Sequence, residues 1–233
     1  MPTVLITGAN RGLGLEFTRQ YARDGWRVLA CCRAGKDAPD LRALSGDIEI
    51  HDLDVGDFDA IGQLAINLSG TAIDVLLNNA GFFGPKPKAD NNPAQVFGHI
   101  DYGIWQEVIR INTFAPMKMA EAFVDHVGAS TQKKIVTISS TEGSIAKTQG
   151  GVYAYKTSKA AVNMVMRNLS FDLKPRSIVT ASFCPGWVKT RMGGATAPLE
   201  PAESIAGVRR VIEGLTLETT GRFWLYNGET VSW

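Results

Sequence analysis

The sequence predicts an α/β protein: an open, doubly wound and mostly parallel sheet of about seven strands with helices on both faces. Three observations carry that expectation. Short runs rich in aliphatic and β-branched residues alternate with helical patterns along the chain. Several of the runs are apolar at both odd and even positions, as a strand is when helices cover both faces of its sheet. The first run passes straight into a glycine-rich turn, Thr7-Gly8-Ala9-Asn10-Arg11-Gly12-Leu13-Gly14, which opens a helical pattern.

In order, strands are expected at Val4–Thr7, Arg27–Cys32, Ile48–Leu53, Ile73–Asn78, Lys134–Ser139, Ile178–Cys184 and Arg222–Tyr226. Helices are expected at Gly12–Asp24, Asp57–Leu68, Tyr102–Val127, Tyr155–Leu173 and Pro201–Gly214. Alternation of this kind implies right-handed crossovers. The longest irregular piece, Phe82–Ile100, holds Pro85, Pro87 and Pro93 and follows a strand. That places it at the carboxyl edge of the sheet, where ligands bind in such folds. A second loop, Gly186–Leu199, carries Gly193, Gly194 and Pro198 and reads as a lid. No internal repeat or second domain is evident, so residues 1–233 read as one Rossmann-like domain.

Bulk properties exclude several classes of function. The formal net charge is +1, with 24 basic and 23 acidic residues well mixed, so neither nucleic acid nor an anionic membrane is the expected partner. No apolar run approaches the roughly 20 residues of a transmembrane helix. The start, Met1–Ile6, is too short for a signal peptide, and a cytoplasmic protein is expected. Cys31, Cys32 and Cys184 lack CxxC spacing and read as buried free thiols. His51, His99 and His126 are scattered, so no metal site is expected.

The chemistry concentrates in two places. Tyr155 and Lys159 stand four residues apart on a helical pattern, hence on one face. The glycine turn is spaced G-x-x-x-G-x-G, not G-x-G-x-x-G, but its glycines serve the same ends: a tight exit from the strand, close approach of a phosphate, and room for helix on sheet. Together they suggest a protein that holds a dinucleotide and moves a proton beside it. A free phenol ionises near pH 10, and bringing it to neutrality takes about 4 kcal/mol of differential stabilisation, which a poorly solvated ammonium is expected to supply. Lys159 has the position for this; Lys156 lies on another face, and Tyr153 has Thr157 where a partner would stand. Charge also selects the dinucleotide. The second strand ends Cys31-Cys32-Arg33 with no acid to grip a ribose diol, and Arg11 lies in the glycine turn. Two cations suit a 2′-phosphate, so NADP(H) is expected over NAD. Ser144-Ile145-Ala146-Lys147 spells S-x-x-K, but the companion motifs of a serine acylase are absent, as is any G-x-S-x-G.

Read together, Thr7-Gly8-x-x-x-Gly12-x-Gly14, Asn78-Asn79-Ala80-Gly81, the ordered set Asn112, Ser140, Tyr155 and Lys159, and Pro185-Gly186 resemble the short-chain dehydrogenase/reductase family over the whole chain. Within it, Pro185-Gly186-Trp187-Val188-Lys189-Thr190 and Trp233 are similar to the C-factor and Sniffer-type carbonyl reductases. The resemblance implies a catalytic set of Asn112, Ser140, Tyr155 and Lys159. It implies a cofactor site of Gly8, Asn10, Arg11, Gly12, Leu13, Gly14, Arg33, Asp54, Val55, Asn79, Ala80, Gly81, Tyr155, Lys159, Pro185, Gly186, Val188 and Thr190. Ser139 rivals Ser140, and Asp52 rivals Asp54 at the adenine. The implied reaction is reversible hydride transfer between NADP(H) and a carbonyl/alcohol pair. In it Tyr155 gives the proton, Lys159 lowers its pKa and grips the ribose, Ser140 orients the carbonyl, and Asn112 helps hold a water. Phe82, Phe83 and Trp187 are candidate walls of an apolar pocket, suited to small apolar ketones, aldehydes or quinones. A dinucleotide-binding signalling or regulatory protein with little turnover is the alternative. A homodimer or homotetramer through the two long helices is expected.

Overall fold

The first strand, β1 (Thr3–Thr7), is buried along its length and leads through the glycine turn into α1 (Gly12–Arg23). The computed structural model describes residues 1–233, apart from the side chain of Lys36. After β2 (Arg27–Cys32) come a short helix α2 (Pro39–Arg42), β3 (Ile48–Asp52), α3 (Phe58–Asn67) and β4 (Val75–Asn78). The Phe82–Ile100 segment is irregular and leads to α4 (Tyr102–Ile109), a π turn over Arg110–Phe114, and α5 (Ala115–Gly128). The chain then forms β5 (Lys134–Ile138), α6 (Tyr153–Asp172), β6 (Val179–Cys184), α7 (Pro201–Glu213) and β7 (Arg222–Leu225). All seven expected strands are present, with ends moved by a residue or two, and every pairing between them is parallel.

The strand order is β3-β2-β1-β4-β5-β6-β7. Connections wind outward in both directions from β1 and β4, so a crevice opens beyond their carboxyl ends. Alternate residues feed two cores, which is why the strands read as apolar at both parities. Val4, Ile6, Val28 and Val136 pack with Phe17 of α1 and Val208 of α7. Leu5, Leu29, Leu76 and Ile135 pack with Ile61 of α3, Phe123 of α5 and Val162 of α6. β3, at one sheet edge, is half-buried from Ile48 to His51 and exposed at Asp52. Asp57 caps α3 by accepting from Asp59 and Ala60 N–H, and Asp101 caps α4 by accepting from Ile104 N–H. No helix is long and apolar enough to cross a membrane, and the three cysteines are buried and unpaired.

Three features depart from the sequence reading. The helix expected over Tyr102–Val127 is broken by the π turn, where Ala115 N–H reaches back five residues to the Arg110 carbonyl. Pro116 has no N–H to return to the carbonyl of residue 112, so the α pattern cannot close there. The helix expected from Tyr155 begins at Tyr153. The four residues of α2 are too few to show periodicity and were not anticipated.

Candidate active site

At the end of β1 the chain turns through Gly8 (φ +68°) and Gly12 (φ +53°), both in the left-handed region open to glycine. A Cβ on Gly14 would lie 2.1 Å from the Gly8 carbonyl oxygen, so only glycine lets α1 start this close to the turn. The turn is braced from β4. Thr7 Oγ1 accepts from Asn79 N–H and Ala80 N–H, both at 3.0 Å. Asn79 Nδ2 donates to the Thr7 carbonyl (2.9 Å) and the Gly8 carbonyl (3.3 Å), so this predicted cofactor residue holds the glycine turn with its side chain. Leu13 packs on the core, Asn10 is half-buried, and no side chain caps the first turn of α1. The loop after β6 closes on the same place: a Cβ on Gly12 would lie 3.6 Å from Thr190 Cγ2. Gly193 N–H donates to Thr190 Oγ1 (3.0 Å), Val188 is buried, and the Pro185 carbonyl accepts from Ser204 of α7 (2.6 Å). Gly186 takes a positive φ of +83° where this loop leaves the strand.

Beside the cradle, Tyr155 and Lys159 lie on the buried face of α6, 7% and 5% exposed. Lys159 Nζ stands 5.7 Å from the centre of the Tyr155 ring and donates to the Ile138 carbonyl at 2.8 Å. A Cβ on Gly81 would fall 3.7 Å from that Nζ and 3.6 Å from Asn112 Oδ1, so the Asn78–Gly81 turn joins cradle to helix. Asn112 is placed inward by the π turn. Its Oδ1 accepts from Phe82 N–H (2.8 Å), while Nδ2 donates to the Phe82 carbonyl (2.8 Å) and to Ser158 Oγ (2.9 Å). Ser139 and Ser140, just past the end of β5, meet different residues of α6. Ser139 is buried against α6 and donates to the Lys159 carbonyl (3.4 Å). Ser140 is half-buried and faces the Tyr155 phenol.

The electrostatics differ from the sequence expectation. Burial pushes the Tyr155 phenol above its ordinary value; the Ser140 hydroxyl pulls the other way, and Cys184 and Glu142 add to the rise. Burial likewise pushes Lys159 down to about 8, against a smaller opposing influence of Cys184. Burial therefore outweighs any stabilisation of the phenolate by Lys159 in this structure. Its ammonium is directed to a backbone carbonyl, and both groups lie where desolvation favours their neutral forms. Helical spacing revealed their shared face but not the polarity around it.

At the far end of the cradle, burial holds the Arg11 guanidinium below its usual value, and the like charges of Arg191 and then Arg33 lower it further. Arg191 was not singled out from the sequence; its only signal there is a cation directly after Thr190. None of the three pairs with an acid among the described residues. Asp52 accepts from Gly35 N–H (2.7 Å), and Asp54, beside buried Val55, accepts from Gly56 N–H (2.9 Å). A glycine cradle with an unneutralised cluster of guanidiniums fits a dinucleotide carrying an extra phosphate.

The cleft walls also emerge. The Phe83 ring lies 4.4 Å from that of Tyr155, tilted by 31°. Phe82 has its backbone fixed by Asn112, whereas Trp187 is 57% exposed on the rim, its Nε1 donating to the Gly193 carbonyl (2.7 Å). Lys156 lies on another face of α6 and holds the loop after Ser140, pairing with Glu142 (3.0 Å) and donating to the Gly150 carbonyl (2.6 Å). Ser144, of the S-x-x-K match, donates to the Ser232 carbonyl (2.7 Å). Gln95, wholly buried and joined to both the Phe83 segment and α6, had no signal in the sequence.

Comparison with known proteins agrees with this arrangement. The family model described as short chain dehydrogenase matches residues 2–200. The C-signal protein of Myxococcus xanthus is 38% identical over 170 residues, covering 72% of this chain and 98% of that protein. The carbonyl reductase Sniffer of D. melanogaster superposes with a TM-score of 0.89 at 31% identity, over 100% of both chains. An NADPH-bound carbonyl reductase from chicken fatty liver superposes with a TM-score of 0.88 at 29% identity, over 100% of this chain and 99% of that one. The fold, the ordered motifs and these matches lead to one conclusion: the chain belongs to the short-chain dehydrogenase family.

Proposed function

We propose that the protein is an NADPH-dependent carbonyl reductase. The observation that carries this reading is a buried, neutral phenol at Tyr155 facing Ser140, with Lys159 behind it and the glycine cradle alongside. A neutral phenol is the form that donates a proton. The Arg11, Arg33 and Arg191 cluster supports NADP(H) as cofactor, as do the NADPH in the chicken liver structure and the carbonyl reductase activity named for it and for Sniffer.

When bound, the dinucleotide supplies the hydride that reduces the carbonyl carbon. Ser140 donates a hydrogen bond to the carbonyl oxygen and stabilises the charge that develops there. Tyr155 delivers its proton to that oxygen, giving the alcohol and leaving a phenolate, which the Lys159 ammonium stabilises. Asn112 positions the Phe82 turn, and Phe83 supplies an apolar wall suited to small ketones, aldehydes or quinones. In this reading residues 1–233 act as one domain, in the cytoplasm, as a homodimer or homotetramer.

The regulatory alternative draws on the name of C-signal, but a protein that only binds has no need of the Tyr155–Lys159 pair. Replacing each serine separately tests the site. Ser140→Ala is expected to lower kcat on the order of 100-fold, the cost of one donor to a developing oxyanion, with Ser139→Ala within a few-fold of the parent. The reverse ranking would refute the assignment.

A further inference from the structure

The amide of Gln95 joins the two walls of the cleft. Gln95 is wholly buried within the Phe82–Ile100 segment. Its Nε2 donates to the Phe83 carbonyl and the Pro85 carbonyl, both at 2.8 Å, so both amide hydrogens are engaged. Its Oε1 accepts from Tyr155 N–H at 3.0 Å, across 60 residues of sequence. Its own carbonyl accepts from Tyr153 N–H at 3.1 Å. These are first-turn N–H groups of α6, which need partners from outside the helix. The residue before α6, Val152, sits at φ +47° and offers no capping side chain. Gln95 therefore does from a distance what a Ser or Asp does at an ordinary helix start. The same amide fixes the backbone of Phe83, whose ring faces that of Tyr155 at 4.4 Å. Gly84 makes room for it: a Cβ there would lie 2.9 Å from Gln95 Nε2.

We propose that Gln95 is the positioning residue that holds Tyr155 and Phe83 in register across the substrate cleft. The inference rests on Tyr155 being the proton donor, as argued above. A carboxamide suits the task because it offers two donors to one wall and an acceptor to the other without charge. A carboxylate of the same shape keeps the acceptor and loses both donors; when protonated it regains one. Gly84→Ala, which leaves Gln95 in place but crowds its Nε2, acts on the same link from the other side.

Gln95→Met and Gln95→Glu, with Gly84→Ala as a second route, test this by three readouts: reduction of an aromatic aldehyde, NADPH affinity, and hydrogen exchange along α6. Gln95→Met is expected to lower kcat by 10- to 100-fold, the scale of an ångström misplacement of a reacting group, with NADPH affinity within about twofold. Gln95→Glu is expected to recover part of the lost kcat as pH falls through the carboxyl range, a dependence the parent lacks. With Gln95→Met, exchange should quicken at Tyr155 and in the first turn of α6 and stay unchanged toward Asp172; with Gln95→Glu, which keeps the acceptor for Tyr155 N–H, it should quicken less. Folded variants with parental kcat, pH profile and exchange would overturn the proposal. Should the parent show no turnover on any carbonyl, the carbonyl reductase reading fails, and exchange alone decides: quickening confined to the first turn supports the role of Gln95, and its absence refutes it.

Discussion

Lys159 and Tyr155 share a buried face of α6 with Nζ 5.7 Å from the ring centre, yet the ammonium bonds the Ile138 carbonyl and both groups are shifted toward neutrality. This has a measurable consequence for stability. The folded lysine, at about 8, lies below the roughly 10.4 of an unfolded one. Between those values the unfolded chain binds more protons at this lysine, so its contribution to stability rises with pH across the window and is lost as pH falls back toward 8. The full difference is about 3 kcal/mol at most. In cofactor-free protein, the stability of the parent relative to Lys159→Met in urea unfolding should rise with pH across this window, the opposing effects of buried Cys31, Cys32, Tyr21 and Tyr155 being largely common to both. Parallel curves for the two proteins would contradict it.

The arginine cluster predicts cofactor choice. Arg11→Ala and Arg33→Ala should each weaken NADPH binding by about tenfold, the scale of a lost charge-assisted hydrogen bond, and weaken NADH binding much less. Arg191→Ala should act in the same direction, because its charge reaches Arg11. Titration of each variant with both cofactors checks this; equal weakening of the two would place the cluster away from the 2′-phosphate.

Two glycines predict opposite outcomes. A Cβ on Gly143 would lie 2.7 Å from the Lys159 carbonyl carbon and 2.8 Å from Lys159 Cβ. Gly143→Ala must push the loop after Ser140 away from α6, and should cost about 2 kcal/mol of stability together with most of the activity. Gly62, inside α3, meets nothing within 4 Å, so Gly62→Ala should add about 0.5–1 kcal/mol and leave activity unchanged. Denaturant unfolding with activity assays separates the two; a silent Gly143→Ala would show that the loop and helix need not be so close.

Much of this was legible in the sequence, for identifiable reasons. The seven strands announced themselves because two helical layers require apolar residues at both parities. The glycine turn and the Tyr155–Lys159 spacing are local, so their geometry follows from a few consecutive residues. Pro116 inside a helical pattern was a readable sign of the π turn. By contrast, Gln95 acts through backbone groups 10, 12 and 60 residues away, and no local pattern marks such a residue. The direction of the Tyr155 shift depends on its burial, with the Phe83 ring against it and Cys184 and Glu142 near, which spacing along one helix does not reveal. Arg191 joins Arg11 only once the loop after β6 folds over the glycine turn.

An apolar groove on the outer face of α4 predicts self-association. Tyr102, Trp105, Gln106, Ile109 and Phe114 line a recess of about 380 Å³, and Tyr102 and Phe114 are 71% and 53% exposed. Light scattering should give a multiple of the 25.2 kDa chain mass. Phe114→Glu should move it toward the monomer, since an unpaired charge is costly in an apolar interface. A parent that scatters as a monomer would refute the interface.

The most direct test of the whole account is NADPH oxidation over a panel of aldehydes, ketones and diketones by the parent and by Tyr155→Phe, with NADPH affinity measured for both. The account predicts turnover by the parent, a loss of at least about 100-fold in kcat without the phenol, and nearly equal NADPH binding. Equal turnover by both proteins, or NADPH binding with no turnover on any substrate by the parent, would contradict it.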